Sequence, residues 1–133
     1  MAHNTGENHL PFLLFTGLLA WIIPGAGHYL IGEKRRAAII FATITITFCI
    51  GIYIGSIGVI NPVGAKPWYV AQIMNTPLVA ILGKMTAEAS YTVYGWPNEI
   101  GQIYTSIAGL LNLLCIVNAV YVGYLKKIGT TDE

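Results

Sequence analysis

Charged side chains are scarce in this sequence. Only 10% of its 133 residues are Asp, Glu, Lys or Arg, whereas soluble domains carry roughly 25%. Hydrophobic residues make up 55% of the chain, and its mean hydropathy is +0.63. Because so few polar groups cannot cover a globule in water, the composition predicts an all-α integral membrane protein. The net charge of +1 offers no basic surface for nucleic acid, so the expected partners are the lipid bilayer and other membrane protein subunits or further copies of this chain.

Acidic residues are absent from the long apolar segments, and cysteines are few. A carboxylate relay, which marks many proton-coupled transporters, therefore has no candidate residues there. Cys49 and Cys115 each lie near the middle of an apolar segment, without the neighbours that a zinc or iron–sulfur site requires. We therefore expect no cofactor, no metal site and no catalytic residues.

Histidine is the one possible exception, because imidazoles on neighbouring helices can hold haem. His3 and His9 precede the first apolar segment, whereas His28 is close to its end. The predicted topology separates them, which argues against a haem bound within one chain. His28 is kept as a candidate cofactor ligand shared with another subunit.

Three apolar segments are long enough to cross a bilayer, which takes about 20 residues. They cover residues 10–31, 37–60 and 103–125 of a single membrane domain over residues 1–133. Basic residues follow the first and third segments and favour the cytoplasmic side: Lys34, Arg35, Arg36, Lys126 and Lys127. This pattern predicts a multi-pass protein of the inner (cytoplasmic) membrane with its N-terminus outside, its C-terminus in the cytoplasm and residues 61–102 extracytoplasmic.

A fourth apolar stretch, residues 68–85, is short for a span and is interrupted by Gln72, Asn75 and Pro77. A fourth span would also put the two basic clusters on opposite sides of the membrane. We therefore predict that residues 68–85 lie in the interface or form a re-entrant segment.

The stretch "PGAGHYLIGEKRR", residues 24–36, interrupts the first predicted span. Pro24 has no N–H, so the carbonyl of Ala20 loses its helical partner. Gly25 and Gly27 allow the backbone to bend and pack closely. The sequence predicts that this span kinks or breaks at Pro24-Gly25, with Pro24, Gly25 and Gly27 as the hinge and His28 carried to the cytoplasmic face.

Small residues recur along one face of the second and third spans. Such stripes let helix backbones approach closely where lipid provides no hydrophobic driving force. The second span carries Thr43, Thr47, Gly51 and Gly55, and the third carries Thr105, Ala108, Asn112, Cys115 and Ala119. The stripes are predicted to pack either on each other or against a foreign subunit.

Two motifs resemble a known family. The stretch "AWIIPGAGHYLIGEKRRAAIIF" contains a proline-glycine-x-glycine-histidine-x-x-x-glycine signature before a basic turn, and "GQIYTSIAGLLNLLCIVNAVY" is similar to a closing helix with an alanine-glycine-leucine-leucine-asparagine-leucine-leucine core. Both resemble a family of small bacterial membrane proteins of unknown function, in which an acidic residue is common where this chain has Asn118. The first motif is also similar, more loosely, to the two-transmembrane-helix domain family. The resemblance implies an architecture but no reaction.

Three functions of different classes fit these observations. We favour a non-catalytic accessory or scaffold subunit that packs through small-residue helix faces in a larger membrane complex. The alternatives are a redox-complex subunit with a quinone or haem near His28, and a small transporter or channel built by oligomerisation.

Overall fold

The computed structural model describes residues 9–90 and 95–129, and within these ranges the chain is all-helical. Its elements in chain order are α1 (Leu10–Ile22), α2 (Ala26–Leu30), α3 (Lys34–Gly55), a short 3-10 helix (Ile57–Val59), α4 (Lys66–Ile73), α5 (Leu78–Glu88) and α6 (Trp96–Gly129). The all-α prediction is confirmed at this level.

Two of the helices, α3 and α6, are long and apolar enough to cross a membrane. They run antiparallel. Near one end of the pair, a Cβ placed on Gly51 would lie 2.6 Å from the Thr105 side chain and 3.0 Å from the Gly101 carbonyl oxygen. At the other end, Lys126 Nζ donates a hydrogen bond to Glu33 Oε1 at 2.9 Å. We call this second end, with residues 33–36 and 126–127, the basic end.

Helices α1 and α2 form a hairpin, the first hairpin, rather than one continuous helix. The α1 helix stops at Ile22, and Gly25 has a φ of +84°, a left-handed conformation that favours glycine. A Cβ on Gly123 of α6 would lie near Ile31, Leu13 and Phe12, so the start of α1 and the end of α2 are at the same level. Both therefore lie at the basic end, and the bend at Pro24-Gly25 is the other end of the hairpin, where Gly25 packs against α3.

This hairpin differs from the continuous course expected of a first span over residues 10–31. The break at Pro24-Gly25 is present, but the chain turns back there instead of continuing through. An α1 of 13 residues extends only about 20 Å, less than the roughly 30 Å of a hydrocarbon core. The three-span count is not confirmed, and the described chain begins and ends at the basic end rather than at opposite ends.

Helices α4 and α5 form a second hairpin on the other half of α6. Ser106 Oγ donates to the Trp68 carbonyl at 3.3 Å, and Asn112 Nδ2 donates to the Met74 carbonyl at 3.0 Å. Since both contacts join residues 38 apart, α4 runs parallel to α6 towards its centre. The chain then turns, and α5 returns with Gly83 against the Tyr69 ring. Residues 68–85 thus form most of a helical hairpin that reaches the middle of α6.

The distribution of polarity is the reverse of that in a water-soluble helical protein. Large apolar side chains point outwards; Leu14, Ile46 and Leu114 are more than half exposed. Polar side chains are instead among the most deeply buried groups: Thr16, Gln72, Thr105 and Asn112 have no accessible surface. Among the residues that the structure describes, a small apolar cluster around Val59, Ile60 and Val79 forms a conventional core. Since apolar surface in water is unfavourable, this arrangement suits an apolar solvent.

Candidate functional site

The tips of the two hairpins meet beside the centre of α6 and hydrogen-bond to each other. Trp21 Nε1, near the end of α1, donates to the Ile73 carbonyl at the end of α4, at 3.0 Å. In return, Thr76 Oγ1 of the second tip donates to the Ile22 carbonyl of the first, also at 3.0 Å. Each tip therefore supplies a hydrogen-bond donor to the other tip. The donor binds a carbonyl at the end of a helix, which has no N–H partner within its own helix.

Asn112 ties both tips to α6. Its side chain is fully buried, and Nδ2 lies 2.8 Å from the Asn75 carbonyl oxygen, 3.0 Å from that of Met74 and 3.4 Å from that of Ala20. The Ala20 carbonyl is the one that Pro24 deprives of its helical donor. One amide thus serves carbonyls of both hairpins. We use the name tip junction for the side chains of Trp21, Thr76 and Asn112 together with the backbone carbonyls to which they donate.

The electrostatics of the tip junction follow from helix direction. Helices α1 and α4 both end there, so their C-terminal ends bring partial negative charge to the same place. The N–H and O–H groups of the tip junction point at these carbonyls. Its side chains are an amide, a hydroxyl and an indole, which suit hydrogen bonding rather than proton transfer or nucleophilic attack. Within residues 9–90 and 95–129, no three His, Cys, Asp or Glu side chains group closely enough to hold a metal ion.

A second buried amide attaches the second hairpin to α6 further from the centre. Gln72 Nε2 donates to Thr105 Oγ1 at 2.8 Å and to the Val59 carbonyl at 3.2 Å. Thr105 in turn donates to the Gly101 carbonyl of its own helix at 2.8 Å. Gln72 therefore joins α4, α6 and the 3-10 helix in one network.

His28 lies in α2, on the first hairpin. It is 2% exposed, and its Nε2 is 3.0 Å from Asn118 Oδ1, so Nε2 is the donor in the tautomer that makes this bond. Nδ1 is buried without a hydrogen-bond partner in the described part of the chain. His28 thus contributes one polar link between the first hairpin and α6.

The hinge glycines of the first hairpin are in close contact with neighbouring helices. A Cβ on Gly27 would lie 2.8 Å from the Ala20 Cβ and 3.0 Å from the Ala119 Cβ. A Cβ on Gly25 would lie 2.6 Å from the Ala37 carbonyl oxygen of α3. Glycine is needed here for close packing as well as for the turn.

The predicted small-residue stripes fall in different surroundings. Gly51 and Gly55 of α3 are buried against α6, but Thr43 is exposed and Thr47 Oγ1 donates to the Thr43 carbonyl of its own helix at 2.8 Å. Ile44, 2% exposed, faces inwards instead. Of the predicted α6 stripe, four residues are buried and Cys115 is half-buried; the buried ones are Thr105, Ala108, Asn112 and Ala119. The glycine half of the α3 stripe therefore packs within the chain.

The predicted topogenic residues gather at the basic end. Lys126 Nζ also donates to the Ile31 carbonyl at 3.0 Å, and Arg36 Nε is 3.7 Å from Glu33 Oε2. The hydrogen bond and charge of Lys126 lower the pKa of Glu33, so this contact is stabilising at neutral pH and is lost as the pH falls through that lowered pKa. The other basic residues here are Lys34, over the Tyr29 ring, Lys127, over the Phe12 ring, and the exposed Arg35.

Several residues around the tip junction are not predictable from the sequence pattern. In the sequence, Gln72 and Asn75 are recognisable only as polar interruptions of an apolar stretch. Because a buried amide requires hydrogen-bond partners, their position in that stretch is the one signal that could have indicated a polar contact. The remainder become visible only in three dimensions: Trp21, Thr76, Ser106 and Gly109.

The hinge gives a first prediction. Replacing Pro24, Gly25 and Gly27 together by alanine should cost more than about 3 kcal/mol of folding stability, because two Cβ atoms clash and a left-handed turn is strained. His28→Gln should cost about 1 kcal/mol or less, since an amide can replace one hydrogen bond. Thermal unfolding of the full chain in detergent, with an absorption spectrum of the intact assembly, measures both.

Gly32→Ala is a suitable control, because Gly32 also has a positive φ but a Cβ placed on it would have nothing within 4 Å. Gly32→Ala therefore measures the cost of backbone strain alone, without the cost of a steric clash. If His28→Gln alone removes a haem absorption band or abolishes electron transfer, then His28 is a ligand and the redox alternative is favoured. Equal destabilisation by His28→Gln and the triple variant would contradict the hinge prediction.

Comparison with known proteins shows the family of this chain. A model for a family of unknown function, DUF6677, matches residues 15–131. The match covers most of the chain, which therefore belongs to this family, and the expectation of an uncharacterised family is confirmed. No curated protein and no solved structure matches the chain.

Proposed function

We propose that this member of the DUF6677 family is a non-catalytic integral membrane protein that acts as an accessory or scaffold subunit of a larger membrane complex. Two spanning helices, α3 and α6, would carry two re-entrant hairpins that enter the bilayer from opposite faces. Outward-facing apolar side chains would contact lipid and neighbouring subunits in the cytoplasmic membrane.

The observation that carries this proposal is the tip junction. Its donors are used to satisfy backbone carbonyls of both hairpins and to tie them to α6. Non-helical backbone is tolerated at membrane depth only where it is buried in protein or lines a cavity. The polar groups at the centre therefore support a rigid frame, and a rigid apolar frame suits a subunit that positions others.

Purification tests the scaffold proposal. The full chain, tagged and expressed at its native level, is extracted in mild detergent and analysed by native electrophoresis and mass spectrometry. We expect one set of stoichiometric membrane subunits to co-migrate with it. A chain that migrates alone, with no partner after chemical cross-linking in the membrane before extraction, would contradict the proposal.

The same architecture predicts an unusual topology. Five basic residues gather at the basic end, which the positive-inside tendency assigns to the cytoplasm. Both ends of the described chain would then face the cytoplasm. With Cys49 and Cys115 replaced by alanine, a membrane-impermeant maleimide applied to intact cells should label Ser90→Cys but neither Ala2→Cys nor Thr130→Cys.

Permeabilised cells are the control, in which all three cysteines should react. The three-span alternative gives a different pattern, because Ala2→Cys would then be labelled in intact cells together with Ser90→Cys. External labelling of Thr130→Cys would contradict both topologies.

A small oligomeric transporter is the second candidate, and one observation favours it. Discontinuous helices that meet near the membrane centre often mark a substrate path in transporters. Here α1 and α4 end together at the tip junction, beside a cavity of about 300 Å³. Solute or ion flux through the unmodified chain in proteoliposomes, absent from protein-free liposomes, would support this candidate over the scaffold.

A further inference from the structure

A cavity of about 300 Å³ lies between α3, α5 and the hairpin tips. Its long walls are apolar apart from one threonine; α3 contributes Phe41, Thr45 and Phe48, and α5 contributes Leu78, Val79 and Leu82. The volume is about ten times the ~30 Å³ that one water molecule occupies in the liquid. A slim chain of about ten methylene-sized groups would therefore fill it.

The cavity has a way in from the apolar exterior. Leu78 on one wall is 62% exposed, Phe41 on the other is 48% exposed, and Ile23 at the first tip is also 48% exposed. These side chains line the cavity and also face outwards. In the proposed membrane placement, the opening would face the hydrocarbon region, so an occupant would come from the bilayer.

The inner end of the cavity carries a polar group that nothing in the fold explains. Asn75 lines the cavity and is 4% exposed, and its Oδ1 is buried without a hydrogen-bond partner in the described residues. Its backbone is already in use, because its N–H donates to Gln72 and its carbonyl accepts from Asn112. The side-chain amide is therefore not needed to hold the tip, and an unpartnered buried acceptor is unfavourable.

Water is a poor partner for this acceptor. A buried water molecule usually makes two to four hydrogen bonds, whereas apolar cavities stay dry or take up apolar molecules. An apolar molecule that carries one hydrogen-bond donor matches both the walls and the Asn75 oxygen.

We propose that this cavity binds a single-chain amphiphile from the bilayer, with its hydrocarbon chain between α3 and α5 and its hydroxyl group hydrogen-bonded to the Asn75 side-chain amide, which turns its oxygen into the cavity when the amphiphile binds. The proposal rests on the proposed membrane placement but not on the scaffold role. Co-purification could fail while the cavity still binds its ligand, so the two tests are independent.

Photolabelling tests the proposal with two matched probes. One is a ten-carbon straight-chain alcohol with a diazirine near its methyl end, and the other is its methyl ether, which lacks the donor. The full chain is reconstituted in lipid nanodiscs, labelled, and analysed by peptide mass spectrometry. The alcohol should label residues 41–48 and 78–82 in a saturable manner, and excess decan-1-ol should compete.

The ether should label the same peptides about fivefold less, as expected for the loss of one buried hydrogen bond. Asn75→Leu should remove this difference between the probes. Leu82→Trp should fill the cavity and reduce labelling to the level of the outer face of α6. Ile81→Trp is the matched control, because Ile81 is 56% exposed on the same helix, and it should label like the unmodified chain.

Two results would overturn the proposal. One is labelling that does not saturate and is the same in Leu82→Trp as in the unmodified chain. The other is equal labelling by alcohol and ether in the unmodified chain. If circular dichroism shows that Leu82→Trp does not fold, the test is the comparison of both probes on Asn75→Leu. A difference between alcohol and ether that persists in this variant would then contradict the proposal.

Discussion

Replacing Asn112 by leucine should lower the free energy of unfolding by about 2–4 kcal/mol. The substitution removes the donor that serves the carbonyls of Ala20, Met74 and Asn75, and leucine has the same branching at Cγ but is larger and has no polar group. Interhelical hydrogen bonds in membranes contribute about 0.6–2 kcal/mol each, and here several are lost together. The measurement is equilibrium unfolding in mixed micelles, followed by circular dichroism.

Hydrogen exchange identifies the segments that the substitution destabilises locally. If Asn112 ties both tips to α6, the backbone amides of residues 20–30 and 72–80 should exchange faster in Asn112→Leu, while those of α3 stay protected. The matched control is Asn118→Leu on the same helix, which removes the single bond to His28 and should cost about 1 kcal/mol. Equal losses in the two variants would show that Asn112 has no special role.

The sequence predicts the helical class and the broken first segment, but it does not by itself give the hairpin. The Pro24-Gly25 break is visible in the sequence because proline lacks an N–H and the glycines relax the backbone. The structural consequence of the break depends on the lengths of the two helices that it separates. Once residues 10–31 are divided, neither α1 nor α2 can span about 30 Å of hydrocarbon alone. The length test, applied to each piece separately, favours a re-entrant hairpin.

The tip junction is harder to predict, because its geometry depends on register between distant segments. Asn112 is recognisable in the sequence as a buried amide that needs partners, but nothing local indicates that these are the carbonyls at residues 20, 74 and 75. The constant spacing of 38 residues between α4 and α6 arises from packing, where Gly109 allows the Ala71 carbonyl to approach. Local patterns predict which groups need partners; tertiary structure decides which partners they find.

The small-residue stripe of α3 shows the same limit and leads to the second large effect. Four residues at spacing four look equivalent in the sequence, but Gly51 and Gly55 face α6, whereas Thr43 is exposed. Replacing both glycines by leucine should therefore destabilise the fold by more than about 4 kcal/mol, because two bulky side chains separate the α3 and α6 backbones. Membrane insertion should persist, since leucine is favourable in lipid.

The other half of the stripe provides the matched control. Thr43→Leu with Thr47→Leu places the same side chains at the same spacing on the same helix, but at an exposed and a half-buried position, and should change stability by about 0.5 kcal/mol or less. Unfolding in mixed micelles and native electrophoresis are measured for both double variants. Equal destabilisation by the two pairs would contradict the assignment of faces.

The control also separates the two uses of this stripe, within the chain and between chains. A glycine variant that loses both its fold and its partners says only that a folded chain is required. If the threonine variant keeps its stability but loses co-migrating subunits, the outward half of the stripe is the surface on which a neighbouring subunit packs. If it keeps both, that face contacts lipid, and the subunit interface of the proposed scaffold must lie on another exposed helix face.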